Sequence, residues 1–243
     1  MNNSKEIFDC YANIRDELIG KDIEAIMRGK YWAQLMRLMS DHFNTISIGA
    51  QSESDIATKM DASILAFSDN VMEPSGLQGF TLDKERKVTI GKEKLTSEGI
   101  VEYSANGRID SKYSSVVIEY KHPSAYKTKA DTDSALYQAM DYLNSLYEEK
   151  KGSYLGVLTD GSRCQFLLFN DSAKSLYDDD KTKVSPLTPV KKLDADMVDR
   201  LIKSIINLQI KALNADNLIH DLVEEQKNGK NIIYHLTNAL YNS

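Results

Sequence analysis

GRIDSKYSSVVIEYKHP, residues 107–123, sets a carboxylate at Asp110, a hydrophobic run at Val116-Val117-Ile118, and then Glu119 and Lys121 at alternate positions. The run has the character of a buried strand, and a strand places residues i and i+2 on one face. Val117, Glu119 and Lys121 then point one way and Val116, Ile118 and Tyr120 the other. On its own, Glu-x-Lys is ordinary for a solvated face carrying a weak ion pair. If residues 107–112 and 114–121 are neighbouring strands, however, Asp110 comes near Glu119 on that face, and two carboxylates and an ammonium converge. Hard oxygen ligands that leave positions open for water suit Mg²⁺ or Mn²⁺, and the carbonyl of Tyr120 adds a further oxygen. Such a metal polarises a phosphodiester and lowers the pKa of bound water, while Lys121 orients that water or stabilises charge on the phosphate.

Outward from this stretch, the pattern predicts helix, several strands, helix, two strands. Upstream, apolar residues recur at helical spacing from residue 5 to about 39, with Gly20 and Gly29 as interruptions. A helix starts at Ser52, which with Asp55 forms a capping-box-like pair ahead of Ile56, Met60, Ile64, Phe67 and Val71; Pro74, Gly76 and Gly79 end it. Residues 79–90, 100–104, 107–112 and 114–121 read as short strands of a meander. Past Pro123, a helix over about 131–149 buries Leu136, Ala139, Met140, Leu143 and Leu146. Gln138 and Tyr142, one turn apart, flank its apolar stripe and look over the sheet edge toward Lys121. Strands at 154–159 and 164–169 join through Asp160-Gly161, a hairpin signal.

Residues 171–192 are polar, with an acidic run and two prolines, and read as a loop or linker. An amphipathic helix follows with Val198, Leu201, Ile202, Ile205, Leu208 and Ala212 on one face, and a last helical pattern includes Ile232, Ile233, Leu236, Ala239 and Leu240. That pattern leaves open a tail that packs back or a lead into a further domain. The expected organisation is a helical lead-in at 1–51, a core at 52–170, and a linker with a helical extension at 171–243.

The chain has 243 residues, 42% hydrophobic and 27% charged, which is enough apolar material for a full core. Its formal net charge of −6 argues against a generic polycation, although a local basic patch can still bind phosphates. Cys10 and Cys164 lie far apart with no CxxC, which fits a reducing cytoplasm. The N-terminus lacks an apolar signal region, and no apolar run approaches the ~20 residues of a membrane span.

The series Gly107-Arg108-Ile109-Asp110, Glu119-Tyr120-Lys121 and Gln138-Ala139-Met140-Asp141-Tyr142 resembles the PD-(D/E)XK nuclease superfamily, in its RecB-like branch with GxxD, ExK and QxxxY motifs. The likeness covers about residues 52–170. Ile109 stands where the leading Pro of the first motif would be. The resemblance implies an α/β fold: a restriction-endonuclease-like core with a mixed central sheet flanked by helices, here with helical N- and C-terminal extensions. It implies that Asp110 and Glu119 ligate Mg²⁺ or Mn²⁺, that Lys121 is the catalytic lysine, and that Gln138 and Tyr142 support the lysine and the DNA backbone. These families often add an acid from the first core helix. Glu53 is the candidate, its alternative role being an acid set against the helix dipole. More narrowly, the arrangement is similar to nuclease domains at the N-terminus of restriction enzymes, where the hairpin around Leu158 to Gly161 and a helical segment over 211–219 lead to a methylase or helicase.

DNA is the expected substrate. Across 107–130, Arg108, Lys112, Lys121, Lys127 and Lys129 face only Asp110 and Glu119, a local excess of +3 in an acidic chain. Arg108 either contacts a phosphate or is simply solvated; Lys127 and Lys129 are further DNA-binding candidates. There is no phosphate-binding GxxxxGK[ST] loop and no methylase motif, so any motor, methylase or specificity function belongs elsewhere. The rival readings are a DNA-repair exonuclease of the same fold and a non-catalytic DNA-binding module on a nuclease core.

Overall fold

The computed structural model describes residues 3–96, 99–150, 154–169 and 184–210. Helices α1 (Asn3–Leu18), α2 (Ile23–Ile26) and α3 (Lys30–Gly49) open the chain. They are interrupted where the pattern predicts, at Gly20 with φ +79° and at Gly29, the N-cap of α3. α3 runs ten residues past the expected end, because Met39, Phe43 and Ile46 continue its buried stripe. In α4 (Glu53–Phe67) the Ser52 hydroxyl accepts the Asp55 N–H at 3.1 Å, and a π-helical turn (Ser68–Met72) and a 3₁₀ turn (Glu73–Ser75) follow before Gly76.

β1 (Leu82–Thr96) and β2 (Gly99–Tyr113) form one long antiparallel ribbon, in register from Leu82 opposite Tyr113 to Thr96 opposite Gly99. This corrects the expectation of separate short strands at 79–90, 100–104 and 107–112. Ala105, Asn106 and Gly107 do not turn but pair with Ile90, Thr89 and Val88. β3 (Val116–Tyr120) pairs antiparallel with β2 and parallel with β4 (Leu155–Thr159), the crossover being made by α5 (Lys129–Lys150). Asp160, Gly161 and Ser162 turn the chain into β5 (Arg163–Phe169), antiparallel to β4. Two short strands, β6 (Val184–Pro186) and β7 (Lys191–Lys192), pair with β5 and complete a seven-stranded mixed sheet. They replace part of the expected loop at 171–192; two or three residues with a proline at the edge carry almost no strand signature. α6 (Ala195–Ile210) follows. Ala212 and the pattern from Ile232 to Leu240 lie outside the described residues.

The sheet is covered on both faces. Val116, Ile118 and Tyr120 face a cluster built from α1, α3, α4 and α6, while Val117 joins Ile109, Val88, Ile90 and Leu158 against α5. The lead-in helices and α6 share the first cluster, and the Ser40 hydroxyl of α3 donates to the Leu193 carbonyl at 2.8 Å. No helix among the described residues is long and apolar enough to cross a membrane.

One irregularity positions the site. Near the sheet, Leu82 and Lys84 of β1 and Ser111 and Tyr113 of β2 turn toward the α4 side, where Leu82 and Tyr113 pack in the first cluster and Lys84, Ser111 and Tyr113 reach Asp61. Further out, Val88, Ile90, Gly107 and Ile109 turn toward α5. A regular strand keeps such residues on one face. The ribbon therefore turns over at Glu85, whose φ of +53° is left-handed, and at Asp110 across from it.

Candidate functional site

The turn-over brings Asp110 to the end of β3. Its Oδ2 accepts the Tyr120 N–H at 2.8 Å, so the carboxylate sits where β2 has stopped pairing regularly with β3. Glu119 and Lys121 share the α5 side of β3, with Lys121 Nζ donating to Glu119 Oε1 at 2.7 Å. They are only 3% and 5% exposed, so this is not the solvated ion pair of a surface strand. From the first turn of α4, Glu53 Oε1 accepts the His122 N–H at 3.3 Å. Four charged groups from α4, β2 and β3 are thus gathered at one strand end.

Burial sets their electrostatics. It pushes the Asp110 carboxyl above its ordinary value, against the pull of the Tyr120 N–H and the Lys121 charge. Burial and then the neighbouring Asp110 charge push Glu119 up to about 8, more than Lys121 can offset. Burial alone would lower Lys121, but Glu119, with help from Glu53 and Asp110, outweighs it and holds the ammonium protonated. The surplus is negative, and Glu119 Oε2 is buried with no hydrogen-bond partner. A buried carboxylate oxygen without a donor, beside a second carboxylate, fits a hard cation. Among the described residues, no three His, Cys, Asp or Glu side chains form a metal-enclosing group; Asp110 and Glu119 come together as a pair, and Glu53 does not make them a triad.

An open cleft of about 460 Å³ lies over this strand end, lined among others by Glu53, Lys121, Lys127, Asp131 and Gln138. No protein-family model, curated protein or solved structure matches this chain. What the site can do follows from its own residues.

Gln138 reaches the cleft, but Tyr142 does not flank the apolar stripe as expected. It is 6% exposed and belongs to the cluster under α5. Its ring lies against Gly107, where a Cβ would come within 2.5 Å of Tyr142 Cε1, and its hydroxyl accepts from Gln138 Nε2 at 2.7 Å. Gly107 leaves the room that the Tyr142 ring occupies, and Tyr142 in turn holds Gln138 at the cleft wall. Lys127 lines the cleft, and Lys129, exposed, begins α5. Arg108 is exposed on β2 with Nη1 3.6 Å from Glu85 Oε2. His122 is structural: its Nδ1 accepts the Ser124 N–H and caps the 3₁₀ turn Pro123–Tyr126.

Asp61 escaped the sequence reading. Fully buried on α4, it accepts hydrogen bonds from Ser111 Oγ at 2.7 Å, Tyr113 Oη at 2.9 Å and Tyr120 Oη at 2.8 Å, and pairs with Lys84 Nζ at 3.2 Å. It thereby fixes α4, and with it Glu53, against the strands that carry Asp110 and Glu119. The available signal was an acid at the helical spacing of a buried stripe, four residues after Ala57 and three before Ile64.

Proposed function

We propose that this chain is a metal-dependent deoxyribonuclease on a restriction-endonuclease-like core, working in restriction or phage defence. The observation that carries the reading is the convergence of Asp110, Glu119 and Lys121 at the end of β3, with an unpartnered Glu119 oxygen buried among them. A buried carboxylate held beside a half-buried one costs free energy unless a cation compensates them, and catalytic sites are where such perturbed groups gather.

Asp110 and Glu119 would hold Mg²⁺ or Mn²⁺, with the Tyr120 carbonyl as a further oxygen donor, while Glu53, which makes no three-acid group with them, holds the His122 N–H at the cleft wall. Bound there, the ion supplies Lewis acidity toward the phosphate and a lowered pKa for the attacking water. Lys121, kept protonated by its neighbours, faces the charge that grows on the phosphate oxygens. Gln138 orients groups at the cleft wall, and Arg108, Lys127 and Lys129 meet the DNA backbone.

The test is hydrolysis of circular and linear plasmid at low salt with each metal, comparing wild type, Glu119→Ala and Lys121→Ala. Cleavage should need Glu119 and the metal, and Lys121→Ala should lose about 10²–10³ in kcat while still binding metal. Cutting of circles identifies an endonuclease; cutting of linear DNA alone identifies the exonuclease. Identical residual cleavage by all three proteins would remove the catalytic reading and leave a binding module.

A further inference from the structure

The β1–β2 ribbon has a face that the cleft does not use. Beyond the turn-over, its side away from α5 is formed by Lys87 and Thr89 on β1 and by Ser104, Asn106 and Arg108 on β2, all exposed. The register sets Lys87 directly opposite Arg108 and Thr89 directly opposite Asn106. Two cations directly across an antiparallel pair repel and weaken the ribbon. Glu85 pairs with Arg108, but at 3.6 Å and between side chains 64% and 61% exposed, so water and salt screen the pair. Opposed cations followed along the strands by an amide and hydroxyls suit a polyanion whose edges offer hydrogen bonds.

The face also lies in the right place. Arg108 is two residues from Asp110 and close enough for its charge to act on that carboxyl. Lys127 lines the cleft together with Lys121. Cations thus approach this strand end from β2 and from the segment leading into α5.

We propose that this ribbon face reads double-stranded DNA, with Lys87 and Arg108 on phosphates and Thr89 and Asn106 directed into the groove, while the scissile phosphate lies at Asp110 and Glu119. The inference rests on the nuclease reading and narrows its substrate to duplex. The major groove, about 12 Å wide, admits a two-stranded β-ribbon. Single strands are instead gripped on aromatic platforms, and this face has no aromatic side chain among the described residues.

Lys87→Glu tests it cleanly, because the substitution exchanges a like-charged cross-strand pair for an opposed one while reversing the charge offered to phosphate. Binding of a short labelled duplex, and of one of its strands, is followed by fluorescence anisotropy in EDTA. Wild type should prefer the duplex. Lys87→Glu should bind it about tenfold or more weakly with a shallower salt dependence, while melting at the same temperature or higher. Equal or tighter binding of the single strand by wild type, or undiminished duplex binding by Lys87→Glu, overturns the ribbon proposal. If that happens while cleavage still requires Mg²⁺ and Glu119, the nuclease stands and the ribbon does not; a wild type that neither binds nor cuts DNA sinks both.

Discussion

Replacing Asp61 should loosen the molecule at the joint between α4 and the sheet. Ser111, Tyr113 and Tyr120 are each at most 1% exposed, and all three point their hydroxyls at this one carboxylate. In Asp61→Ala those hydroxyls lose their acceptor, at about 1 kcal/mol or more each, and a small cavity is left; the expected loss is about 3–5 kcal/mol. Lys84 adds little, since its half-exposed ammonium returns to water. Asp61→Asn keeps one acceptor oxygen and should lose roughly half as much. Urea unfolding of the metal-free protein reads both. The decisive comparison is Tyr120→Phe in two backgrounds. With Asp61 present it removes a hydrogen bond to a charged group, worth about 1.5–3 kcal/mol; with Asp61→Ala it removes an orphaned hydroxyl and should cost nothing or stabilise. Equal costs in the two backgrounds would refute the idea that the carboxylate organises these hydroxyls.

Gly107→Ala should cost about 1–3 kcal/mol by overpacking against Tyr142 and Ile90, and should cost less in a Tyr142→Ala background; thermal melts of the four proteins give the coupling. Mg²⁺ or Mn²⁺ should raise the melting temperature, by about 2.7 kcal/mol of stability at a hundredfold excess over Kd, and Asp110→Ala should abolish the response. Calorimetric titration with equal metal binding by both proteins removes that assignment. In EDTA, Glu119 favours the fold most below its unfolded value of 4.5, and this contribution is lost as pH rises toward its folded value of about 8. Asp110 acts in the same direction, whereas Lys121 titrates above this window. Wild type should therefore lose melting temperature from pH 5 to 8 relative to Glu119→Gln, and parallel profiles would show that Glu119 does not carry the shift.

What was legible in the sequence was local. The start of α4 rests on a cap that Ser52 and Asp55 make between themselves, and β3 announces itself because both its faces meet apolar layers. The placement of Glu119 beside Lys121 needs nothing beyond strand geometry. Gly107 misled because a glycine after Ala-Asn resembles a turn, when its role depends on a ring arriving from α5, about 35 residues later. The turn-over at Glu85 has no signature at all, since a left-handed glutamate is imposed by the two surfaces the ribbon must cover. Tyr142 differs from its expected place, and Asp61 gives no clear signal, for one reason: whether a polar group on a helix meets solvent or partners depends on which strands face it, and the stripe alone does not say.

The bond from Ser40 to Leu193 joins residues 153 positions apart. At the usual pace of synthesis, about 5–20 residues per second, α3 emerges some 8–30 s before the helix that must cover it. Until then the apolar side of α3, with Trp32, Leu35, Met39 and Phe43, has no α6 to lie against. The nascent chain must pass through a sticky half-built state, which a holding chaperone would recognise. A product cut short near residue 170, although it contains every charged group that lines the cleft, would leave the α6-facing side of α3 bare permanently and should be cleared or aggregate.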